Sequence, residues 1–417
     1  MKATSIAKAL TVIFFGGISC FYLCTLLGFL GLVSFFASIS IAFFLLGKRW
    51  EMRLKRPALK DEPFVSIIIP AFKSEEYIKD TIIAAKALDW NKKEIIVIND
   101  SRDRTPQICK ELGVRCIQNK KRLGKAISLN KALKYAKGDF VFFIDSDTVV
   151  EKDCLKKMIP WFSDKRIAVV APKYLTKNTE NIIAKFTLLE NIFNQNLCKI
   201  HMLFGGMPAF RGCAVIIRKD VLLKVGGWPK TLSEDLSLSR LIIQKGFKIH
   251  FDPTTTVYTI EPNSIKSLSK QRKRWGRMAF YEFYDNKSYY LKNPQFFIHT
   301  FPVIFSFLVF TGAILWQTVV ILPIAAYLFY ISAAKEILAI FLYLLFSTIA
   351  NLSVPLGPSF AAYTAILSIP ETKKDAFLIF PYLLIYVPIA TLLYARAILI
   401  GLFDRIRKKP EFDFSFW

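Results

Sequence analysis

The chain alternates between long apolar segments and a central region with the mixed polarity of a soluble domain. No charged residue occurs from Ala9 to Gly47, a stretch roughly twice as long as the about 20 residues that one membrane-spanning helix needs. Basic residues flank both ends of this stretch, and basic flanks favour the cytoplasmic side of a membrane. An even number of crossings is therefore expected, and the pattern predicts two transmembrane helices over residues 9–47.

A second apolar region, residues 296–403, predicts about four further transmembrane helices. Its first part, Phe296 to Ala334, carries no charge. The segment from Gly357 to Asp375 fits an external loop, a re-entrant segment or part of another helix. Residues 404–417 begin with a basic run that is expected to lie in the cytoplasm. We therefore expect a multi-pass protein of the cell membrane with about six spans and a cytoplasmic central domain.

The central segment, residues 61–260, has the alternation of an α/β domain. Apolar, β-branched runs predict buried strands, and amphipathic stretches between them predict helices. The runs are Val65 to Ile69, Ile95 to Ile98 and Phe140 to Ile144 for strands, and Glu75 to Leu88 and Ala126 to Ala136 for helices. Strand and helix in alternation are typical of parallel βαβ units covered on both faces. The sequence predicts a mostly parallel sheet, inserted between the two groups of transmembrane helices.

The composition is strongly basic, with 57 Lys and Arg residues against 32 Asp and Glu and a formal net charge of +25. A nucleic-acid-binding protein can be this basic, but it would not carry long uncharged apolar runs. Here the basic residues cluster beside those runs, as the charge bias of membrane proteins predicts. We therefore expect a lipid bilayer as a partner and no nucleic acid.

Acidic residues follow two of the predicted strands. Asp100 comes after the second strand, and Asp145 and Asp147 come directly after the third. Ligands of open α/β sheets bind beyond the carboxyl ends of the strands. Two carboxylates at spacing i, i+2 can bind one hard cation such as Mg²⁺ or Mn²⁺. The alternative is that these residues are ordinary turns that end strands.

Two further short motifs carry groups suited to phosphate and proton chemistry. Lys125 follows Gly124, where the backbone permits close approach, and its ammonium can reach a phosphate, although most lysines are only solvated. Glu234 and Asp235 follow a glycine pair, and a carboxylate there can act as a general base toward a hydroxyl. Alternatively, Ser233 caps a helix whose first turn carries these acids.

A basic amphipathic segment, residues 261–295, precedes the second apolar region and contains Gln271, Arg274 and Trp275. Arginine suits the oxygens of a diphosphate, and an indole face suits the apolar side of a sugar. The alternative is a basic helix at the membrane interface, with the tryptophan at the level of the lipid headgroups.

Taken in this order, the motifs resemble those of the family 2 inverting glycosyltransferases, and especially the membrane synthases of hyaluronan, chitin, cellulose and poly-N-acetylglucosamine. The resemblance runs from Val65 to about Trp275. It is carried by Ile69-Pro70-Ala71-Phe72, Asn99-Asp100-Ser101, Gly124-Lys125-Ala126, Asp145-Ser146-Asp147, Gly212-Cys213-Ala214, Gly226-Gly227-Trp228, Ser233-Glu234-Asp235, Glu261-x-x-Ser264 and Gln271-x-x-Arg274-Trp275.

The resemblance implies a GT-A-like fold and a role for each motif residue. Donor binding falls to Glu75, Asp100, Lys125, Asp145, Gln271 and Arg274. The metal, Mg²⁺ or Mn²⁺, falls to Asp147 together with Asp145. Asp235 is implied as the catalytic base, and Glu234 and Trp275 as acceptor-binding residues.

Three positions depart from the family pattern. Phe72-Lys73-Ser74-Glu75 stands where Tyr-Asn-Glu is common, Ser233 stands for a threonine, and Arg211 precedes Gly212 where a smaller or polar residue is common. The first departure weakens the assignment of Glu75, and the third can alter the acceptor pocket.

The expected function is metal-dependent, inverting transfer of a sugar from a nucleotide-sugar, preferably UDP-linked, to a growing polysaccharide. One alternative is transfer of a single sugar to a lipid-linked acceptor. A second alternative, which the intact acidic motifs disfavour, is a non-catalytic export channel.

Overall fold

The computed structural model of the protein describes residues 44–293 and 377–407. From residue 46 onward they belong to one structural unit of the chain, made of Leu46–Pro302 and Glu371–Trp417. The two helices predicted over 9–47 and most of the spans predicted over 296–403 lie outside the described residues. Residues 408–417 of the predicted tail 404–417 also lie outside the described residues.

A mixed sheet of eight strands forms the centre of the part of the chain that the structure describes. Its order is β3-β2-β1-β4-β7-β6-β8-β5. The strands are β1 (Val65–Ala71), β2 (Lys93–Asn99), β3 (Arg115–Gln118), β4 (Phe140–Ile144), β5 (Thr148–Val150), β6 (Ile167–Thr176), β7 (Ala214–Arg218) and β8 (Lys248–Thr259). Three of them were predicted from their apolar runs, and β4 has the predicted bounds.

The prediction of a mostly parallel sheet is only partly right. Neighbours among β3, β2, β1 and β4 run parallel, as the βαβ pattern indicates. Beyond β4, β7 runs antiparallel to both β4 and β6, β8 is parallel to β6, and β5 is antiparallel to β8. Strands buried on both faces have the same apolar character in either direction, so the sequence pattern does not reveal this reversal.

Helices cover both faces of the sheet. They are α1 (Ile78–Ala87), α2 (Thr105–Glu111), α3 (Lys125–Leu133), α4 (Cys154–Met158) with the 3₁₀ turn Ile159–Ser163, α5 (Ile182–Leu203), α6 (Lys219–Lys224), α7 (Glu234–Gln244), α8 (Ile265–Asp285), α9 (Lys287–Lys292) and α10 (Val387–Ile406), the last preceded by the helical turns Ile379–Pro381 and Tyr382–Tyr386. Residues 44–53 are also helical.

Alternate residues of β1 belong to two different hydrophobic cores. Ile67 and Ile69 belong to one core, and Ile68 belongs to the other. The sheet is thus buried on both faces, as its apolar strands predict.

Helix α8 occupies the predicted amphipathic segment and packs against α10. It begins with a capping box in which Ser264 and Ser267 bond reciprocally. Gly276 permits the close approach, because an added Cβ there would lie 2.6 Å from the Cβ of Ala397. The salt bridge between Arg277 and Asp404, 2.7 Å long, also joins the two helices.

Helix α10 is the one helix in residues 44–293 and 377–407 that is long and apolar enough to cross a membrane. It falls in the last part of the second apolar region, where a span was expected. The number of spans and the placement of residues 261–295 at a membrane interface stay predictions.

Candidate active site

The carboxylate of Asp100 holds the loop that leads to Lys125. It accepts hydrogen bonds from the backbone nitrogens of Leu123 at 2.8 Å and Gly124 at 2.7 Å, and from the side chain of Asn119 at 2.9 Å. Gly124 has a φ of +85°, a conformation that favours glycine. Asp100 is buried and engaged within the protein, so its observed contacts are those of a loop anchor. Its role as a nucleoside contact stays a prediction.

Lys125, the first residue of α3, joins motifs that lie far apart in the sequence. Its ammonium lies 2.8 Å from Oδ1 of Asp145 and 3.2 Å from Oε1 of Glu234, and it donates to the carbonyl of Gly212 at 3.1 Å. Burial alone would lower the pKa of Lys125, but the charges of the two carboxylates raise it above its usual value. Glu234 is buried beside this lysine, and its acceptor-binding role stays a prediction.

The Asp-x-Asp turn at the end of β4 contains two carboxylates whose pKa values are raised. Burial, together with the charge of Asp147, raises the pKa of Asp145 to about 7, although Lys125 opposes the shift. Burial also raises the pKa of Asp147, whose carboxylate accepts a hydrogen bond from Thr148 at 3.3 Å. The ionised forms of both carboxylates are thus disfavoured, mainly by burial.

These two aspartates fit a divalent cation that other ligands complete. No group of three His, Cys, Asp or Glu side chains that could hold a metal occurs within the described ranges. Asp145 and Asp147 nevertheless supply hard oxygen ligands, and a cation would stabilise their ionised forms, which burial disfavours. Mg²⁺ is commonly bound by one or two carboxylates plus the phosphates of a substrate, so two protein ligands are enough.

Asp235 lies in the first turn of α7, with both carboxylate oxygens bonded. Oδ2 accepts from the backbone nitrogen of Gly212 at 3.0 Å, and Oδ1 accepts from that of Leu236 at 2.8 Å. Burial and then the neighbouring charge of Glu234 raise the pKa of Asp235, although Lys125 opposes the shift. A carboxylate with a raised pKa binds a proton more tightly, which suits a general base. Ser233 precedes the helix, but its side chain makes no capping hydrogen bond.

Gly212 sets the position of Asp235 by its lack of a side chain. A Cβ added at Gly212 would lie 3.0 Å from Oδ2 of Asp235 and 3.2 Å from its Cβ. The residues Lys125, Asp145, Asp147, Glu234 and Asp235 are called the acidic cluster below.

Gln271 belongs to a second polar group, on α8. Its Nε2 donates to Oε2 of Glu261 at 3.2 Å, and the same carboxylate is bonded by Asn191 at 3.2 Å and by Arg211. Burial alone would raise the pKa of Glu261, but Arg211 and the two amides lower it below its usual value. Oε1 of Gln271 is buried and has no hydrogen-bond partner among the described residues.

Trp275 and Arg274 are partly buried on α8, one turn after Gln271. The guanidinium of Arg272 lies 4.7 Å from the centre of the Trp275 ring, and that of Arg211 lies 5.3 Å from it. Arg272 is 1% exposed and pairs with Glu190 of α5. Arg211, Glu261, Arg272 and Glu190 are called the arginine network below.

Glu75 is exposed, and its contacts lie in the loops that follow β1 and β2. Its Oε2 accepts from the backbone nitrogen of Arg104 at 3.0 Å. The hydroxyl of Ser74 lies 2.8 Å from that of Ser146, which ties this loop to the Asp-x-Asp turn. No contact of Glu75 with the acidic cluster is present among the described residues, and its donor-binding role stays a prediction.

Comparison with known families gives the class of the domain. Residues 66–226 match the family model described as Glycosyl transferase family 2. Residues 66–226 are thus similar to the domain that defines the family 2 glycosyltransferases. The predicted enzyme class, a hexosyltransferase of this family, is confirmed at the level of this domain.

Two curated relatives share this domain at moderate identity. Poly-beta-1,6-N-acetyl-D-glucosamine synthase of Staphylococcus aureus (strain COL) is 29% identical over 199 residues, covering 46% of this chain and 48% of the relative. Probable glycosyltransferase YdaM of Bacillus subtilis (strain 168) is 29% identical over 242 residues, covering 53% and 56%. The chain thus spans about half the length of the curated relatives it matches.

A solved structure supports the fold of the family 2 domain. The mannosyltransferase PcManGT from Pyrobaculum calidifontis, in complex with GDP-Man and Mn²⁺, superimposes with a TM-score of 0.53 at 18% identity. The match covers 92% of this chain and 99% of the mannosyltransferase. At this identity the likeness concerns the fold, and it agrees with the mixed GT-A-like sheet.

Proposed function

We propose that this protein is a metal-dependent, inverting glycosyltransferase that adds a sugar from a nucleotide-sugar to a growing polysaccharide at the cell membrane. The observation that supports the proposal is the contact of Lys125 with both Asp145 and Glu234, because its ammonium lies between the Asp-x-Asp turn and the residue next to Asp235. A nucleotide-sugar needs these functions side by side: a cation site for its diphosphate and a base for the attacking hydroxyl.

The residues of the acidic cluster divide the work on the donor. Asp147, together with Asp145, would hold Mg²⁺ or Mn²⁺, and the structure of the similar mannosyltransferase contains both GDP-Man and Mn²⁺. When bound, the cation offsets the negative charge of the diphosphate and eases its departure. Lys125 contacts the same phosphates once the donor competes for its ammonium. Asp100 keeps Lys125 in place through the loop, and Glu75 contacts the nucleoside.

Asp235 acts on the acceptor. Its carboxylate removes the proton of the acceptor hydroxyl as that oxygen bonds to the anomeric carbon. The bond from the same carbon to the diphosphate breaks, and the nucleoside diphosphate leaves with the electron pair. Gln271 and Arg274 bind the diphosphate, and Trp275 and Glu234 bind the acceptor.

A growing polysaccharide is the preferred acceptor because the relative in Staphylococcus aureus is named a poly-N-acetylglucosamine synthase. Transfer of one sugar to a lipid is the second candidate. It is favoured by α10, which packs beside α8. The apolar residues Leu392, Leu399 and Phe403 of this helix are more than half exposed, and such a surface suits a bilayer. With either acceptor, we expect the acidic cluster to lie in the cytoplasm, because nucleotide-sugars are available there.

Donor turnover tests this function. Purified protein in detergent is incubated with Mn²⁺ or Mg²⁺ and a panel of UDP-sugars and GDP-mannose, and both nucleotide release and product length are measured. We expect release with one donor, dependence on the metal and a long product. A product of one sugar on a lipid would select the second candidate. Absence of release with every donor, in a folded protein, would refute the transferase.

A further inference from the structure

The indole of Trp275 lies beside the buried Arg272 and the partly buried Arg211, and each arginine is paired with its own glutamate. Arg211 contacts Glu261, and Arg272 contacts Glu190. Both guanidinium groups lie over the ring, at 5.3 Å and 4.7 Å from its centre. A cation over an indole face is attracted by the ring, so each arginine restricts the orientation of the tryptophan.

Arg211 has contacts that Arg272 lacks, because it precedes Gly212 in the chain. The backbone nitrogen of Gly212 holds the carboxylate of Asp235 at 3.0 Å. The guanidinium of Arg211 bonds Glu261, and that carboxylate also receives the hydrogen bond from Gln271 at 3.2 Å. One side chain therefore connects the loop that seats Asp235 to both Gln271 and Trp275.

The pair is better suited to fixing geometry than to adding stability. Glu261 is 4% exposed, and placing a charge pair in such a site often gains nothing over apolar side chains of similar size. An arginine, however, presents a planar fork that holds a carboxylate in a defined direction. Asn191 completes this frame, since it accepts from Arg211 at 2.8 Å and donates to Glu261 at 3.2 Å.

We infer that Arg211 and Glu261 form a positioning pair that sets Trp275 and Gln271 relative to the carboxylate of Asp235, and so determines how the acceptor is placed for attack. This inference rests on the proposed function, because it assigns the pair to the acceptor side of the same site. Arg211 touches neither reacting group, so it acts through the residues that it orients.

The first test is a set of four variants: Arg211→Met, Arg211→Lys, Glu261→Gln and the double variant Arg211→Met with Glu261→Gln. The double variant removes both charges but keeps an amide oxygen for Gln271. We expect Arg211→Met to lower both the melting temperature and transfer, the latter by about 10²-fold through a higher KM for the acceptor. The double variant should regain the melting temperature while its acceptor KM stays raised. Arg211→Lys should fold normally and share the KM defect.

The matched control is Arg166→Met. Arg166 also pairs with an acid, Asp164, but its side chain is 69% exposed. This variant should keep the wild-type KM values and melting temperature. Recovery of the wild-type acceptor KM in the double variant, or activity losses that follow melting temperature across the whole set, would overturn the positioning role.

A second measurement does not depend on activity. The contribution of Trp275 to the fluorescence is obtained as the difference between the wild-type protein and the Trp275→Phe variant. Arg211→Met should shift this contribution in wavelength and in its quenching by acrylamide, whereas Arg166→Met should not. An unchanged contribution would overturn the inference even in an inactive protein. Failure of the proposed function is seen separately, as a wild-type protein that releases no nucleotide.

Discussion

The acidic cluster and the arginine network are both polar and largely buried, but their charges are balanced differently. In the acidic cluster one lysine faces four carboxylates, and the pKa of Asp145 is raised to about 7. In the arginine network two arginines face two glutamates, and the pKa of Glu261 is lowered. Charge left unbalanced favours binding of a cation and its ligands, whereas balanced charge fixes a geometry before any ligand arrives.

From this difference we expect the acidic cluster and the arginine network to respond differently when a ligand binds. The acidic cluster changes its contacts when a metal and a diphosphate bind, because Lys125 then exchanges carboxylates for phosphates. The arginine network keeps its contacts and presents Gln271 and Trp275 in place. The predictions that follow test the two halves separately, in order of decreasing effect.

Replacing Asp235 by Asn should abolish transfer, with a loss of about 10³-fold or more, because the general base is removed. The fold should be retained, since the substitution removes a buried charge beside Glu234. Nucleotide release and the melting temperature measure the two effects. Substantial activity in this variant would remove Asp235 from its assigned role.

Replacing Asp147 by Asn should raise the concentration of Mn²⁺ needed for half-maximal activity and lower transfer by about 10²-fold. The melting temperature without metal should not fall, because the substitution removes a buried charge that also repels Asp145. A titration with Mn²⁺ against wild-type protein gives the shift. An unaltered metal requirement would place the cation elsewhere.

Replacing Glu261 by Gln should lower stability by about 3 kcal/mol at neutral pH, because it leaves the largely buried charge of Arg211 without its partner. The pKa of Glu261 is lowered in the folded protein, so its contribution is fully present above about pH 4.5 and is lost as the pH falls below that value. The difference in unfolding free energy between variant and wild type should therefore shrink on acidification. A gap that stays constant from pH 7 to pH 3 would contradict this assignment.

Replacing Gly212 by Ala should have the smallest effect, about a tenfold loss of kcat, because the new Cβ displaces the carboxylate of Asp235 by a few tenths of an ångström. KM for the donor should change little. Equal loss of donor binding would show that the cluster moves as a whole and would weaken the distinction between its parts.

The sequence predicts the acidic cluster far better than the arginine network. Asp145 and Asp147 form a short motif at the end of an apolar strand, and β4 has the predicted bounds, so local pattern is sufficient. The pair Arg211–Glu261 joins residues 50 positions apart, and Arg272–Glu190 joins residues 82 apart. No local sequence pattern indicates either pair, and Arg272 cannot be distinguished by pattern from the other basic residues of its amphipathic helix.

The fold shows the same limit. The apolar runs around Ile67, Ile96 and Phe142 predict β1, β2 and β4 and the parallel order among them. The antiparallel return of β7 between β4 and β6 depends on long-range pairing that strand hydrophobicity does not encode. This return brings Gly212, just before β7, to the end of β4, and so places Asp235 beside the Asp-x-Asp turn.

A structure of the protein determined with Mn²⁺ and a nucleoside diphosphate tests the central claim most directly. We predict a metal bound by Asp147 and Asp145 and by the diphosphate, with Lys125 turned from Asp145 to a phosphate. The contacts of Arg211 with Glu261 should be the same as without ligand. A nucleotide bound away from the acidic cluster, or an arginine network rebuilt on binding, would contradict it.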